Sequence, residues 1–195
     1  MKRIALAVAL LVSLAASAWA GLDEGLAAYE RGDYVTAFQE FKPLAEQGDA
    51  SAQYSLGMLY RLGRGVPQDD GEAMKWFRLA AEQGDAAAQY IVGLKYLTTA
   101  LGPNDVEAAK WVRRAAEQGH AKAQAEIGFW YYLGQGVPQD YLLAHMWLNL
   151  AAAALPLGKD RDEAVEIRDT VANLMTPVLI VEAQKLARKW RPKSE

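Results

Sequence analysis

The sequence predicts an all-α array of antiparallel helix pairs, a solenoid closed by further helices at its C-terminal end, on three observations. The chain aligns with itself three times, beginning "DASAQYSLGMLY" at Asp49, "DAAAQYIVGLKY" at Asp85 and "HAKAQAEIGFWY" at His120. Each stretch runs into a second block, "EAMKWFRLAAEQG" ending at Gly84, "EAAKWVRRAAEQG" ending at Gly119 and "LAHMWLNLAAA" ending at Ala153, so the period is 36 and then 35 residues. That period holds one helix-turn-helix unit. Within each block, apolar and small residues recur at helical spacing, and glycine, proline and capping residues fall between the blocks.

The N-terminus reads as a leader. "MKRIALAVALLVSLAASAWA" has a basic start at Lys2 and Arg3, an apolar stretch from Ile4 to Ala15, and an Ala18-Trp19-Ala20 ending. This is the pattern of a secretory signal cleaved after Ala20, and its apolar core is well short of the roughly 20 residues that span a bilayer. The expected mature chain, 21–195, contains no transmembrane anchor. The whole chain carries a formal net charge of −3 and no cysteine, and removing Lys2 and Arg3 leaves about −5. A mildly acidic surface argues against nucleic acid as a partner. An exported chain without cysteine holds together by packing, with no disulfide staples.

The segment 21–48 comes before the repeats proper, which run 49–84, 85–119 and 120–155, followed by 156–195. In the first repeat, Ala52, Leu56, Gly57 and Tyr60 on the first helix recur at helical spacing, and Ala73, Trp76, Phe77 and Ala80 on the second follow the i, i+3, i+4, i+7 rule, each giving one buried face. Gly57, Gly93 and Gly128 recur mid-helix, where glycine costs about 1 kcal/mol relative to alanine. Such a recurrent cost implies close helix-helix approach. Ala80, Ala115 and Ala151 serve the same approach on the second helix, and Trp76, Trp111 and Trp147 are expected to fill the wider gap beside them. Tyr60, Tyr96 and Tyr131 are the packing tyrosines of the first helices. Gly48, Gly84 and Gly119 follow helices and suit left-handed caps, while Asp49 and Asp85 suit N-caps. His120 stands in that capping place as a weak, disfavoured substitute.

The loops "GRGVPQD" (63–69) and "GQGVPQD" (134–140) crowd glycine and aspartate as a phosphate-binding loop would, but a helix precedes them and no Lys-Ser or Lys-Thr follows. Gly63, Gly65, Gly134 and Gly136 permit positive φ, Val66 turns inward and Pro67 stops the helix. Asp69 and Asp140 cap the next helix, with Glu72 completing a capping box after Asp69. Asn104 and Glu107 offer the same arrangement. Arg64, Gln68, Gln135 and Gln139 are left without a structural task. The second repeat replaces the loop with "TTALGPND" and is one residue shorter, which predicts an irregular turn.

The segment "AQYSLGMLYRLGRGVPQDDGEAMKWFRLAAEQGDA" resembles the Sel-one-like repeat family, relatives of the tetratricopeptide repeats, and the likeness runs from about Ala50 to Ala153. Upstream, "GLAAYERGDYVTAFQEFKPLAEQGD" is similar to a degenerate tetratricopeptide-like repeat. Downstream, "MWLNLAAA" and "MTP...EAQKLARKWRP" resemble the closing segment of bacterial members. The resemblance implies a right-handed superhelix of stacked helix pairs used as a protein-interaction scaffold, without a cofactor. Relatives associated with antibiotics or cell-wall components are cysteine-rich, and that activity is not carried over to a chain without cysteine.

If the array forms as in tetratricopeptide proteins, the first helices line a concave face. The stripe facing it comprises Tyr54, Met58 and Arg61, then Tyr90, Leu94 and Leu97, then Phe129 and Tyr132, a set of anchors suited to a protein or peptide partner. Neighbouring repeats or the C-terminal helices could equally cover it. Catalytic and metal motifs are missing from the sequence, and His145 reads as a partly exposed structural histidine. In the tail, Ala164, Ile167, Val171 and Leu174 share one helical face. Thr176-Pro177 starts another helix, striped by Leu179, Ala183, Leu186 and Trp190. Val178, Ile180 and Val181 are an apolar surplus suited to a homodimer contact. Lys185, Arg188, Lys189, Arg191 and Lys193 make the end basic and open to anionic lipid or polysaccharide. The expectation is a non-enzymatic interaction scaffold, periplasmic or secreted. A glycan-binding envelope protein or a hydrolase are the alternatives.

Overall fold

A computed structural model of the chain describes residues 21–98 and 103–193. The expected leader and residues 99–102 of the altered loop lie outside the described residues. All regular structure among the described residues is α-helical: α1 over 21–30, α2 (Tyr34–Glu46), α3 (Ala50–Leu62), α4 (Asp70–Glu82), α5 (Ala86–Tyr96), α6 (Asp105–Glu117), α7 (Ala121–Leu133), α8 (Tyr141–Ala154), α9 (Lys159–Ala172) and α10 (Pro177–Lys189). The chain divides into two compact units, Met1–Asp85 and Ala86–Glu195. In the first, α3 packs on both α2 and α4. In the second, α5 through α8 each pack on the next helix, and α10 returns to α8.

Within every pair a glycine brings two helices together. A Cβ on Gly57 would lie 2.8 Å from the Phe77 ring and 3.2 Å from the Ala73 carbonyl oxygen. On Gly93 it would meet Val112 at 2.7 Å and the Ala108 oxygen at 3.1 Å, and on Gly128 it would meet Leu148 at 2.8 Å and the Ala144 oxygen at 3.3 Å. Backbone thus approaches backbone once per repeat, and Ala80, Ala115 and Ala151 are fully buried, as the close approach requires. The expectation for the tryptophans needs correction. Phe77, Val112 and Leu148, one position later, cover the glycines, because one residue on a helix turns the side chain by about 100°. Trp76 and Trp111 are only half-buried, and Trp111 lies beneath the Arg114 guanidinium at 4.9 Å. Trp147 is buried, with Trp190, the residue that follows α10, against it edge to face at 6.2 Å. The α1–α2 pair uses the same device, with Gly25 set against Phe41 at 2.5 Å from the Cβ position.

The second glycine of each Gly-x-Gly loop has a task beyond turning the chain. Gly65 adopts φ +73° with its absent Cβ 2.3 Å from the Tyr34 carbonyl oxygen, and Gly136 adopts φ +65° with its absent Cβ 2.0 Å from that of Asp105. Each loop therefore lies directly on the first turn of the second helix of the preceding pair. Val137 is buried and Val66 half-buried below it. Arg64 also has a role: its guanidinium donates to the Tyr29 hydroxyl at 3.0 Å and lies 4.9 Å from the Tyr34 ring. Gln139 donates to the Tyr132 carbonyl at 2.8 Å.

Caps form with one difference. The side chains of Asp69, Asn104 and Asp140 accept from Glu72 N–H (2.9 Å), Glu107 N–H (3.1 Å) and Leu143 N–H (3.0 Å). The reciprocal half of the expected capping box is not made. The backbone N–H groups of Asp69, Asn104 and Asp140 donate instead to the carbonyls of Tyr60, Tyr96 and Tyr131 at 2.9–3.0 Å, closing each loop, and Glu72 and Glu107 pair with Lys75 and Lys110. His120 is a working cap, its Nδ1 accepting from Ala123 N–H at 3.2 Å.

A buried glutamine follows the buried alanine (Ala52, Ala88, Ala123) that opens each repeat's first helix. Gln53 donates to the Ala45 carbonyl at 3.1 Å and accepts from Gln83 at 2.7 Å, while Gln89 accepts from Gln118 at 2.9 Å. Gln124 donates to the Ala116 carbonyl at 3.2 Å, yet its Oε1 is buried without a hydrogen-bond partner. The cause is legible in the repeat: the donor position filled by Gln83 and Gln118 is Ala154 here.

The C-terminal helices depart from expectation at several residues. Ala164 and Val171 are buried on α9, but α9 ends at Ala172, leaving Leu174 exposed. Thr176 caps α10, accepting from Leu179 N–H at 3.4 Å, with Pro177 in the first turn. Ala183 is the buried centre of α10, whereas Val178 (76 % exposed) and Val181 (59 %) face solvent. The tail is partly tied down. Lys193 pairs with Glu117 at 2.8 Å and its backbone N–H donates to the Glu117 carbonyl at 2.9 Å.

Two substitutions test these contacts by urea denaturation. Gly65→Ala is expected to cost more than Gly48→Ala: at Gly48 (φ +97°) only the left-handed backbone is penalised, by about 1–2 kcal/mol, whereas Gly65 adds a backbone clash worth about 1–3 kcal/mol more. Ala154→Gln is expected to stabilise the protein by about 0.5–1.5 kcal/mol by supplying a donor to Gln124, and this gain should vanish in a Gln124→Leu background.

Candidate functional site

The residues of the expected first-helix stripe divide between the two units. In the first, Tyr54 and Met58 join Leu26, Tyr29, Phe41 and Ser55 around an apolar depression of about 250 Å3. Tyr54 rests on Phe77 (ring centroids 5.8 Å), and burial, reinforced by Asp85, raises its hydroxyl pKa. Arg61 does not line the depression, and its guanidinium lies over the Phe77 ring at 5.8 Å.

In the second unit Tyr90 and Phe129 come together in a groove of about 580 Å3 bounded by α5, α7, α8 and α9. Its apolar lining is Ala125, Phe129, Leu148, Leu155, Ala164 and Ile167. Its polar lining is Tyr90, Lys122, Glu126, Asp160, Glu163 and Glu166. Helix α9 forms a wall of the groove and leaves it open. Leu94, Leu97 and Tyr132 take no part in the lining. They pack on the core of the unit, and the Tyr132 ring lies 6.2 Å from that of Tyr141.

The groove is acidic. Lys122 pairs with Asp160 at 2.8 Å, and Lys159 with Glu163 at 3.5 Å. Glu126 is half-buried, and burial pushes its carboxyl pKa up against the opposing hydrogen bond from the Trp130 indole. The Tyr90 hydroxyl is pushed up to about 12, by burial first and then by the charges of Glu126 and Asp160. Its ring lies 4.9 Å from that of His120, which fixes one side of the groove. Sequence reasoning missed these carboxylates. Glu126 had a signal, since it occupies the position of Ser55 and Ile91 in the sister repeats. The acids of α9 fall outside the repeat and read as an ordinary solvated face.

His145 is buried, at 3 % exposure, which corrects the expectation of a partly exposed side chain. Burial pushes its imidazole pKa down, with Arg168 adding to the effect and Asp169 opposing it, and Asn149 lies 3.4 Å from its Nδ1. It is therefore a neutral core group on α8 and does not line the groove. Among the described residues, no group of three or more His, Cys, Asp or Glu is placed to hold a metal ion, and no helix is long and apolar enough to cross a membrane.

The raised Glu126 pKa has a stability consequence of definite sign. The folded chain binds this proton more tightly than the unfolded chain, whose carboxyl titrates near the ordinary 4.5. Stability therefore falls as pH rises through 4.5 to the folded value and stays lower above it. Glu126→Gln keeps an acceptor for the Trp130 indole and removes the charge. It is expected to be more stable than the wild type at pH 7, with the difference closing towards about pH 4, in denaturant titrations at both values.

Among curated proteins none matches the chain. Of solved structures, c5321, a protective antigen of uropathogenic Escherichia coli strains displaying an SLR fold, is similar at 33 % identity with a TM-score of 0.65, over 80 % of this chain and 32 % of that one. The chain thus spans about a third of that protein's length. A Sel1 repeat protein from Oxalobacter formigenes is similar at 34 % identity with a TM-score of 0.60, over 68 % of this chain and 96 % of that one. The family model of the Sel1 repeat matches residues 50–85, 86–120 and 121–154, which are α3–α4, α5–α6 and α7–α8. With three tandem matches over more than half its residues, and glycine-mediated pairing in each, the chain belongs to the Sel1 repeat family.

Proposed function

We propose that the protein is a non-enzymatic interaction scaffold of the cell envelope that binds a polypeptide partner through the faces of its first helices. Sel1 repeat proteins are generally protein-interaction scaffolds. The observation that carries the reading to particular residues is the groove of the second unit, where Tyr90 and Phe129 remain half-buried beside about 580 Å3 of open volume. Partly buried aromatic side chains at the edge of a concavity supply contact area at low entropic cost. In the first unit, Tyr54 and Met58 border a smaller apolar depression that suits an apolar side chain. Export to the periplasm rests on the basic, apolar and small-residue pattern of residues 1–20.

A partner that uses both faces should be lost when both are charged. Capture from a periplasmic extract by the wild type is expected to recover a protein that the Met58→Glu, Phe129→Glu double variant does not, with the helical circular dichroism of the two unchanged. Equal recovery by both would overturn the assignment of these faces. Sedimentation of the wild type with purified sacculi, and not with the extract protein, would favour a glycan ligand instead.

A further inference from the structure

We infer that the second unit's groove receives an arginine-bearing segment of a polypeptide, with the guanidinium between Glu126 and Glu166 and against the rings of Tyr90 and Phe129. This rests on the interaction reading above and specifies the chemistry of the occupant.

Charge is the first reason. Of the four carboxylates lining the groove, Asp160 is paired with Lys122 and Glu163 with Lys159. Among the described residues no lysine or arginine forms an ion pair with Glu126 or Glu166. These two come from different helices that wall the groove, Glu126 from α7 and Glu166 from α9. An occupant of the groove meets negative charge from both helices, which attracts cations and excludes acidic segments, nucleic acid and anionic lipid.

Burial is the second. Glu126 is half-buried with one neutral donor, the Trp130 indole. A carboxylate removed from water without a cation is unfavourable, and an incoming guanidinium would supply the missing charge together with paired donors. The repeat shows that the fold does not ask for this carboxylate, since the same position holds Ser55 and Ile91 in the other two pairs. The first unit provides an internal contrast: its depression has Ser55 in that place and no charged residue in its lining.

The walls select among cations. Tyr90 and Phe129 line the groove, and aromatic rings attract arginine more often than lysine because the planar guanidinium both stacks and forks to carboxylates. About 580 Å3 lies within the roughly 300–1,000 Å3 of small-ligand pockets, enough for one long side chain and its apolar neighbours against Ile167 and Leu148. A bare divalent cation is a poor alternative, since no set of ligating side chains among the described residues is placed to hold one.

The test is fluorescence anisotropy of the purified protein with four end-blocked, labelled Gly/Ser peptides that differ only in a central Leu-Arg-Leu, Leu-Lys-Leu, Leu-Gln-Leu or Leu-Glu-Leu. The arginine peptide is expected to bind roughly tenfold or more tightly than the glutamine peptide, with lysine between and glutamate weakest, and the preference should shrink as salt rises. Glu126→Gln should bring the arginine peptide to the level of the glutamine peptide without lowering the denaturation midpoint. Glu182→Gln on α10, which removes the same charge elsewhere, should leave the preference intact. Equal binding of arginine and glutamine peptides, no binding of any peptide up to about 1 mM, or an arginine preference that survives both Glu126→Gln and Glu166→Gln would each overturn the inference. If the arginine preference is absent while Phe129→Glu alone still abolishes capture of the periplasmic protein, the occupant chemistry is wrong and the interaction reading stands. An arginine preference with no protein captured would leave the groove's chemistry in place and remove the support for a protein partner in that extract.

Discussion

Close contact between helix backbones is the constraint on which the rest of this structure depends. In each repeat a glycine on the first helix faces an alanine carbonyl on the second, so near that a single methyl group would meet an atom at 2.7–2.8 Å. Two helices held at that distance leave little room between them, and the side chains that fill it must be chosen around the glycine. Phe77, Val112 and Leu148 do so with different volumes, so the pairs are alike in backbone and individual in packing. The gain is dispersion and burial along the whole contact, set against the roughly 1 kcal/mol that a mid-helix glycine costs.

The Gly-x-Gly loop extends the same principle from one pair to the next. Its second glycine lies on the opening carbonyl of the earlier second helix, and the cap residue closes the loop by donating to the tyrosine carbonyl. Polar contacts then follow the stacking. Buried Gln53 and Gln124 each donate to the penultimate carbonyl of the preceding helix, at Ala45 and Ala116, adding a second bond to an oxygen that already accepts from Gly48 and Gly119 N–H at the helix end. Where the repeat gives way to the closing helices, Ala154 replaces the glutamine donor, and Gln124 Oε1 is left orphaned.

That end of the array is also where the chain becomes individual. Helix α9 does not cover the first-helix face completely, and the groove it leaves combines the aromatic residues of the repeats with carboxylates that the repeats do not share. Among the described residues two of the carboxylates have lysine partners and two have none, one of them half-buried. A protein stabilised only for folding would place serine or isoleucine there, as its sister repeats do. The raised pKa of Glu126 links the two themes, because the burial that disfavours its charge is the burial that would strengthen a cation's hold on it.

By itself the sequence determined the helical class, the period, the glycines of the pair interface, the loop glycines and the caps at Asp49, Asp69 and Asp140, because each is a local requirement repeated until it becomes visible. It also pointed to Tyr54, Met58, Tyr90 and Phe129, since a stripe on one helix follows from 3.6-residue periodicity. Tertiary structure alone decided that Phe77, Val112 and Leu148 cover the glycines, that Leu94, Leu97 and Tyr132 join the core, and that His145 is buried. It alone brought Glu166 of α9 and Glu126 of α7 to one groove. The physical reason is that periodicity tells which side chains share a face, whereas burial and charge balance depend on which other helix comes to lie against that face.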